Sequence, residues 1–202
     1  RTAWTELVTD DDIVIIAGDI SWGLKLDEAM ADLDWIHELP GQKVLLRGNH
    51  DLWWCRIQHL RTLYDDMHFL QNDCYYVEPL DLAICGSRGW PTPDTVSYTE
   101  HDEKMYLREQ GRLRNSLGEA KKKGASKIIM AMHYPPAKVE ETEFTRIMQE
   151  YGVTQCVYGH LHGMVAWTNG IKGEHGGIDY KLVSLDYLGA RPKLIYDSEQ
   201  EM

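Results

Sequence analysis

The chain of 202 residues has no apolar run approaching the roughly 18 residues that a membrane span needs. It has no basic-then-apolar leader at its start, and its first residue is Arg1 rather than Met. We therefore expect a cytoplasmic protein with no membrane partner, in a sequence that starts inside a longer gene product. Positive charge is scarce: 21 Lys and Arg face 32 Asp and Glu, a formal net charge of −11. A duplex nucleic-acid footprint needs a basic face to displace counterions, so this balance argues against one. It does not exclude an anionic substrate, because a bound metal reverses the local field. No Cys-x-x-Cys pair occurs among Cys55, Cys74, Cys85 and Cys156, which read as reduced, mostly buried thiols. Cys74 and Cys85 are spaced to meet across a hairpin, but nothing requires a bridge. There is no internal repeat, low-complexity tract or linker, and the length suits one domain with a large core.

What is present is a series of short β-branched runs, each followed by a polar loop. Residues 1–8 read as a helix tail. Ile13 to Ala17 reads as a buried parallel strand ending in Gly18-Asp19. A helix capped by Asp27 should run to about Glu38, with Met30, Leu33 and Ile36 inward. Val44 to Leu46 is a second strand, ending in Arg47-Gly48-Asn49-His50-Asp51. A third helix is predicted over 53–65, with Trp53 and Trp54 read as core. Residues 67–70, 74–77 and 80–85 read as a meander. Residues 99–123 read as a long charged helix whose terminal lysines suit the helix dipole. Ile128 to Met132 is a strand ending at His133, residues 142–151 a short helix, and Gln155 to Tyr158 a strand ending in Gly159-His160-Leu161-His162. Residues 180–185 and 193–196 are the expected last strands.

Four of these apolar runs end in a metal-ligand type: Asp19, Asn49, His133, and His160 with His162. In α/β sheets, ligands bind beyond the carboxyl ends of the strands, so residues far apart in sequence can converge there. A carboxylate, a neutral amide oxygen and imidazoles form a donor set for a hard-to-borderline divalent cation. Gly48 permits a sharp turn and close approach. His50 can move a proton near neutral pH, and Asp51 can fix an imidazole or charge the rim. His50 and Asp51 are the candidate catalytic residues.

Gly-Asp, Gly-Asn-His-Asp, a lone His after a strand, and Gly-His-x-His, in that order, resemble the motif set of the calcineurin-like metallophosphoesterases, particularly the small bacterial-type predicted phosphohydrolases. The resemblance runs from about Ile13 to Gly163. It implies an α/β fold, a four-layer α-β-β-α sandwich of two mixed sheets, as a single domain over residues 1–202. It also implies a phosphoester hydrolase in which two divalent ions (Mn, Fe or Zn) activate a water or hydroxide. Asp19 would bridge the ions; Asn49, His133 and His160 would hold the second, and His162 the first. His50 would bind no metal and would protonate the leaving oxygen or stabilise charge.

Two departures stand out. The family's first motif, Asp-x-His at the end of a first strand, is missing ahead of Asp19. The sequence's Asp66-Met67-His68 comes after Gly-Asn-His-Asp and reads as a helix end and strand start. We expect the missing strand to precede Arg1. The first-metal site of this chain is then incomplete, one ion binds far better than the other, and a sheet edge is unpaired. Secondly, the Asp that protein serine/threonine phosphatases carry three residues after the Gly-Asp aspartate is Trp22 here, which weakens that subclass. Rival readings are a catalytically impaired binding module of the same fold and a nuclease acting on nucleotides or short oligonucleotides. Arg88 and Trp90, in the loop after Cys85, are further candidates for phosphate or substrate contact, and Tyr134 and residues 137–144 for the pocket rim. Substrate, ester class and oligomeric state are not encoded in any motif we can read.

Overall fold

The computed structural model describes residues 2–139 and 141–199. Two sheets lie face to face between helices. The first contains β1 (Ile13–Ile16), β2 (Gln42–Leu46) and β3 (Met67–Leu70) in that order, all parallel, with β1 at the edge. The second has six strands: β4 (Cys74–Val77), β5 (Leu82–Ser87), β6 (Lys127–Met132), β7 (Gln155–Tyr158), β8 (Gly173–His175) and β9 (Ile178–Leu182). Their order is β4-β5-β6-β7-β9-β8, with β5, β6, β7 and β9 parallel and β4 and β8 antiparallel at the two edges.

Side-chain alternation assigns the layers. On β2, Leu45 packs outward with Trp53 and with Ala29, Leu33 and Ile36 of α1 (Leu26–His37). Its neighbours Val44 and Leu46 point the other way, Val44 with Leu70 of β3 onto Ile84, and Leu46 onto Ala131 and Val157, all three in the second sheet. That is why the run is apolar throughout. On β6, Ile128, Met130 and Met132 face α2 (Glu100–Lys122) and α3 (Glu143–Glu150), which cover the outer side of the second sheet. Both helices begin with a capping box, Thr99 with Asp102 and Thr142 with Thr145. The result is the expected α-β-β-α sandwich, with the three-stranded sheet parallel rather than mixed.

Several local expectations change. The helix predicted over 53–65 shrinks to the single turn Ile57–Leu60, because Trp53 and Trp54 are drawn into the core ahead of it. The helix of residues 26–37 starts one residue before Asp27; Lys25 precedes it without a side-chain cap, and Glu28 accepts the Leu24 amide. The 67–85 region is not one meander. The 67–70 strand pairs parallel with β2, the chain crosses between sheets at residues 71–73, and only β4 and β5 form a hairpin. Cys74 lies opposite Cys85 in that hairpin; of the thiols expected to be mostly buried, Cys85 and Cys156 are, Cys74 is half-buried and Cys55 is exposed. The last strand covers 178–182, no strand forms at 193–196, and a hairpin turns at Gly176-Gly177, both at positive φ.

Candidate metal centre

Every strand that ends in a motif residue points its carboxyl end at the same rim. The strand-end loops interlock there. Gly18 has φ +86, and a Cβ on it would lie 2.6 Å from His133 Nδ1. A Cβ on Gly48 would lie 2.1 Å from Asp19 Oδ1. The glycines of both motifs therefore let the β1 and β2 loops touch. Asp19 and His160 themselves have φ of 54 and 66, the left-handed region that non-glycine residues avoid. Strain of that kind collects at functional sites.

Asp51 fastens the loops together. It is fully buried, and its carboxylate accepts from the amides of Asp19 (2.9 Å), Ile20 (2.8 Å), Ser21 (3.2 Å) and Gly48 (2.7 Å) and from Trp53 Nε1 (3.0 Å). Both oxygens are thereby engaged by backbone and indole donors, and neither orients the His50 ring. The His50 amide donates to Asp19 Oδ1 (2.8 Å). Its exposed ring leans on Trp22, with centroids 4.3 Å apart.

Four predicted residues come together. Asn49 Oδ1 is 2.6 Å from His133 Nε2 and 2.9 Å from His160 Nδ1, and those two nitrogens are 3.2 Å apart. Asp19 Oδ2 is 3.4 Å from His133 Nε2. The ligand atoms of Asp19, His133 and His160 all lie within 4.8 Å of one another.

The protonation pattern tests whether a cation suits this pocket. His133 Nδ1 donates to the Ala17 carbonyl (2.9 Å). Burial lowers the His133 pKa, against the pull of Asp19, so the ring is neutral near pH 7 and Nε2 carries a lone pair. That lone pair faces the Asn49 carbonyl oxygen, an acceptor, at 2.6 Å. Burial, reinforced by His133, takes His160 down to about 4. His133 Nε2 and Asn49 Oδ1 are thus two acceptors facing each other, an arrangement that a cation relieves, and the carboxylate, amide oxygen and imidazoles gathered here fit Mn, Fe or Zn.

His162 stands apart. It is exposed, and its Nδ1 is 3.0 Å from Asp186 Oδ1, while Asp186 Oδ2 accepts the Gly163 amide (2.8 Å). A carboxylate behind an imidazole is the usual support of a metal-binding His. The sequence reading missed Asp186. Its signal was the same strand-end rule, since it lies just beyond β9, which runs parallel to β7. Tyr134 lies at the pocket, its ring 4.2 Å from that of His160. Ala137 and Phe144, at the limits of the expected rim segment, are core residues instead, and position 140 lies outside the described residues. The other acidic grouping, His37 with Asp65 and Asp66, already holds the Lys43 ammonium at Asp66.

No helix among the described residues is long and apolar enough to cross a membrane. A family model for calcineurin-like phosphoesterases matches residues 2–164. The chain is also similar to the Gene 66 protein of Mycobacterium phage L5, at 49% identity over 49 residues. That match covers 24% of this chain and 23% of the phage protein. With the family match extending over well more than half its length, and through every strand-end motif, the chain belongs to the calcineurin-like phosphoesterase family.

Proposed function

We propose that this chain is a metal-dependent phosphoester hydrolase, built as one domain, with a dinuclear centre. The observation that carries the reading is the convergence of Asn49 Oδ1, His133 Nε2 and His160 Nδ1 beside Asp19, a donor set that a divalent cation would take. Asp19, Asn49, His133 and His160 would hold one ion; Asp19 and His162 would serve the other, with Asp186 behind His162. Bound ions of this kind polarise phosphoryl oxygens and lower the pKa of water.

The chain's own residues do the rest. The Asp51 bonds fix where Asp19 and Asn49 sit. Asp51 is thus a positioning residue rather than a proton donor or acceptor. The Ala17 carbonyl fixes the tautomer of His133 and turns its Nε2 to the pocket. His50, held by its amide to Asp19 and by its ring to Trp22, sits at the open rim where a leaving oxygen would depart. A positioned His supplying that proton is worth about 10²–10⁴ in rate.

The test is Mn²⁺-dependent hydrolysis of p-nitrophenyl phosphate and bis-p-nitrophenyl phosphate by wild type and His50→Ala. Activity should require Mn²⁺ and fall by about 10²–10⁴ in the variant, with Mn²⁺ affinity kept. Metal-independent activity, or full activity in His50→Ala, would contradict the proposal.

A further inference from the structure

We propose that Arg88 binds the phosphoryl group of the substrate, as an anion subsite beside the four-donor pocket. The inference rests on the phosphoester reading and extends it to a residue that no metal-binding motif contains.

Arg88 follows β5, the strand next to β6. Its carbonyl accepts the amides of His133 (3.2 Å) and Tyr134 (2.9 Å), so its loop is tied to the segment that carries a pocket donor. The guanidinium carbon stacks 4.7 Å over the Trp90 ring. That ring is fixed in turn, because Trp90 Nε1 donates to Asp102 (3.0 Å). Trp90 lies 5.9 Å from Tyr134, and Tyr134 4.2 Å from His160, so an aromatic wall runs from Arg88 to the donor cluster.

The guanidinium has a place but no partner. Arg88 Nε is buried without a hydrogen bond, and no carboxylate among the described residues pairs with it. Arg61, Arg112, Arg114 and Arg146 each reach an acid. Of the half-buried arginines, Arg112 and Arg114 pair with acids, whereas among the described residues Arg88 and Arg47 do not. Nearby Glu109 does not fill the gap, since one of its oxygens takes Ser87 Oγ (2.9 Å) and the other Arg112 (2.5 Å). Arg47 adds a second cation: its Nε donates only to the Asp51 carbonyl, and its charge opposes that of Arg88. The positive field of Arg88 reaches His133 and Tyr134.

A partially desolvated guanidinium with an open donor lacks an anion. The planar fork matches the paired oxygens of a phosphoryl group, which a lysine ammonium meets only as a point charge. The pocket side chains carry no fixed positive charge of their own, so a guanidinium beside them supplies the charge-assisted donors that a substrate's peripheral oxygens take.

The experiment measures binding of inorganic phosphate by calorimetry to the whole chain, as wild type, Arg88→Lys and Arg88→Ala, each with and without Mn²⁺. Phosphate affinity should fall about 10- to 100-fold in Arg88→Ala and less in Arg88→Lys. Mn²⁺ affinity should stay the same, and the melting temperature should hold or rise as an unpaired charge is removed. Equal phosphate affinity in wild type and Arg88→Ala overturns the proposal, as does a wild type that binds no phosphate. A lower melting temperature with unchanged phosphate affinity makes the residue structural and overturns it too. Failure of the wild type to bind Mn²⁺ would instead defeat the metal reading, and the metal-free comparison still decides Arg88.

Discussion

His160 of the inner cluster and His162 of the outer pair belong to one Gly-His-x-His motif, yet the two groups are held in opposite ways. Asp19, Asn49 and His133 sit in interlocked loops with left-handed backbone at Asp19 and a fully buried carboxylate clamp at Asp51. His162, two residues after His160, is 58% exposed at its side chain, and its ring has one partner, Asp186, itself 40% exposed. The inner donors are held by the fold's own hydrogen bonds and packing. The outer imidazole is placed by one contact with solvent around it. Preorganisation favours tight binding, so the inner ion should be the resident one and the outer ion the exchangeable one.

Breaking the clamp should have the largest effect. Asp51→Ala strands four amides and an indole N–H. It should cost about 3 kcal/mol or more, a fall of about 6–12 °C in melting temperature, and abolish tight Mn²⁺ binding. Thermal unfolding and Mn²⁺ titration check this. Unchanged stability and binding with lost hydrolysis would move Asp51 into the chemistry. Removing a donor without touching the clamp should separate metal binding from stability. Asn49→Ala should weaken inner Mn²⁺ binding by about 100-fold or more. It should leave metal-free stability unchanged or higher, because the Oδ1 atom facing His133 Nε2 is gone.

Acid should distinguish the two regions next. His160 falls from 6.5 to about 4 on folding, and His133 is also lowered. The unfolded chain then binds more protons between pH 6.5 and 4, so the metal-free protein loses stability as pH falls through that window. Asp186 runs at lower pH: despite partial desolvation, the Gly163 amide and His162 hold its carboxyl below 3.8. Its contribution is present above 3.8 and lost as pH drops through the lowered value. Urea unfolding of metal-free protein from pH 7 to 3 should show the inner loss first; His133→Ala should shrink it. Asp186→Ala should have the smallest effect, weakening the second Mn²⁺ event by about 10-fold with the first unchanged.

The inner residues were readable from sequence because each follows an apolar run. Parallel strands put such positions on one rim whatever their sequence separation. Asp186 obeys the same rule, since it directly follows the strand expected over 180–185, but it lies outside the four motifs that carry the resemblance; β9 itself stops at Leu182. Which sheet holds 67–70 depends on its parallel pairing with β2, a long-range contact with no local signature. Trp53 and Trp54 misled the helix prediction, since their burial under the first sheet, not helical spacing, explains them. Arg88 is readable from sequence as a candidate for phosphate or substrate contact, on no more than its residue type in a Gly/Pro-rich loop. Its lack of a partner is a property of the packed structure.

The most direct measurement is Mn²⁺ anomalous diffraction from crystals of this chain soaked at rising Mn²⁺ concentration. A first peak should appear among Asp19, Asn49, His133 and His160, and a second, weaker peak toward His162 only at higher concentration. A first peak at His162 and Asp186, or an inner pocket that stays without a peak when Mn²⁺ is saturating, would contradict it.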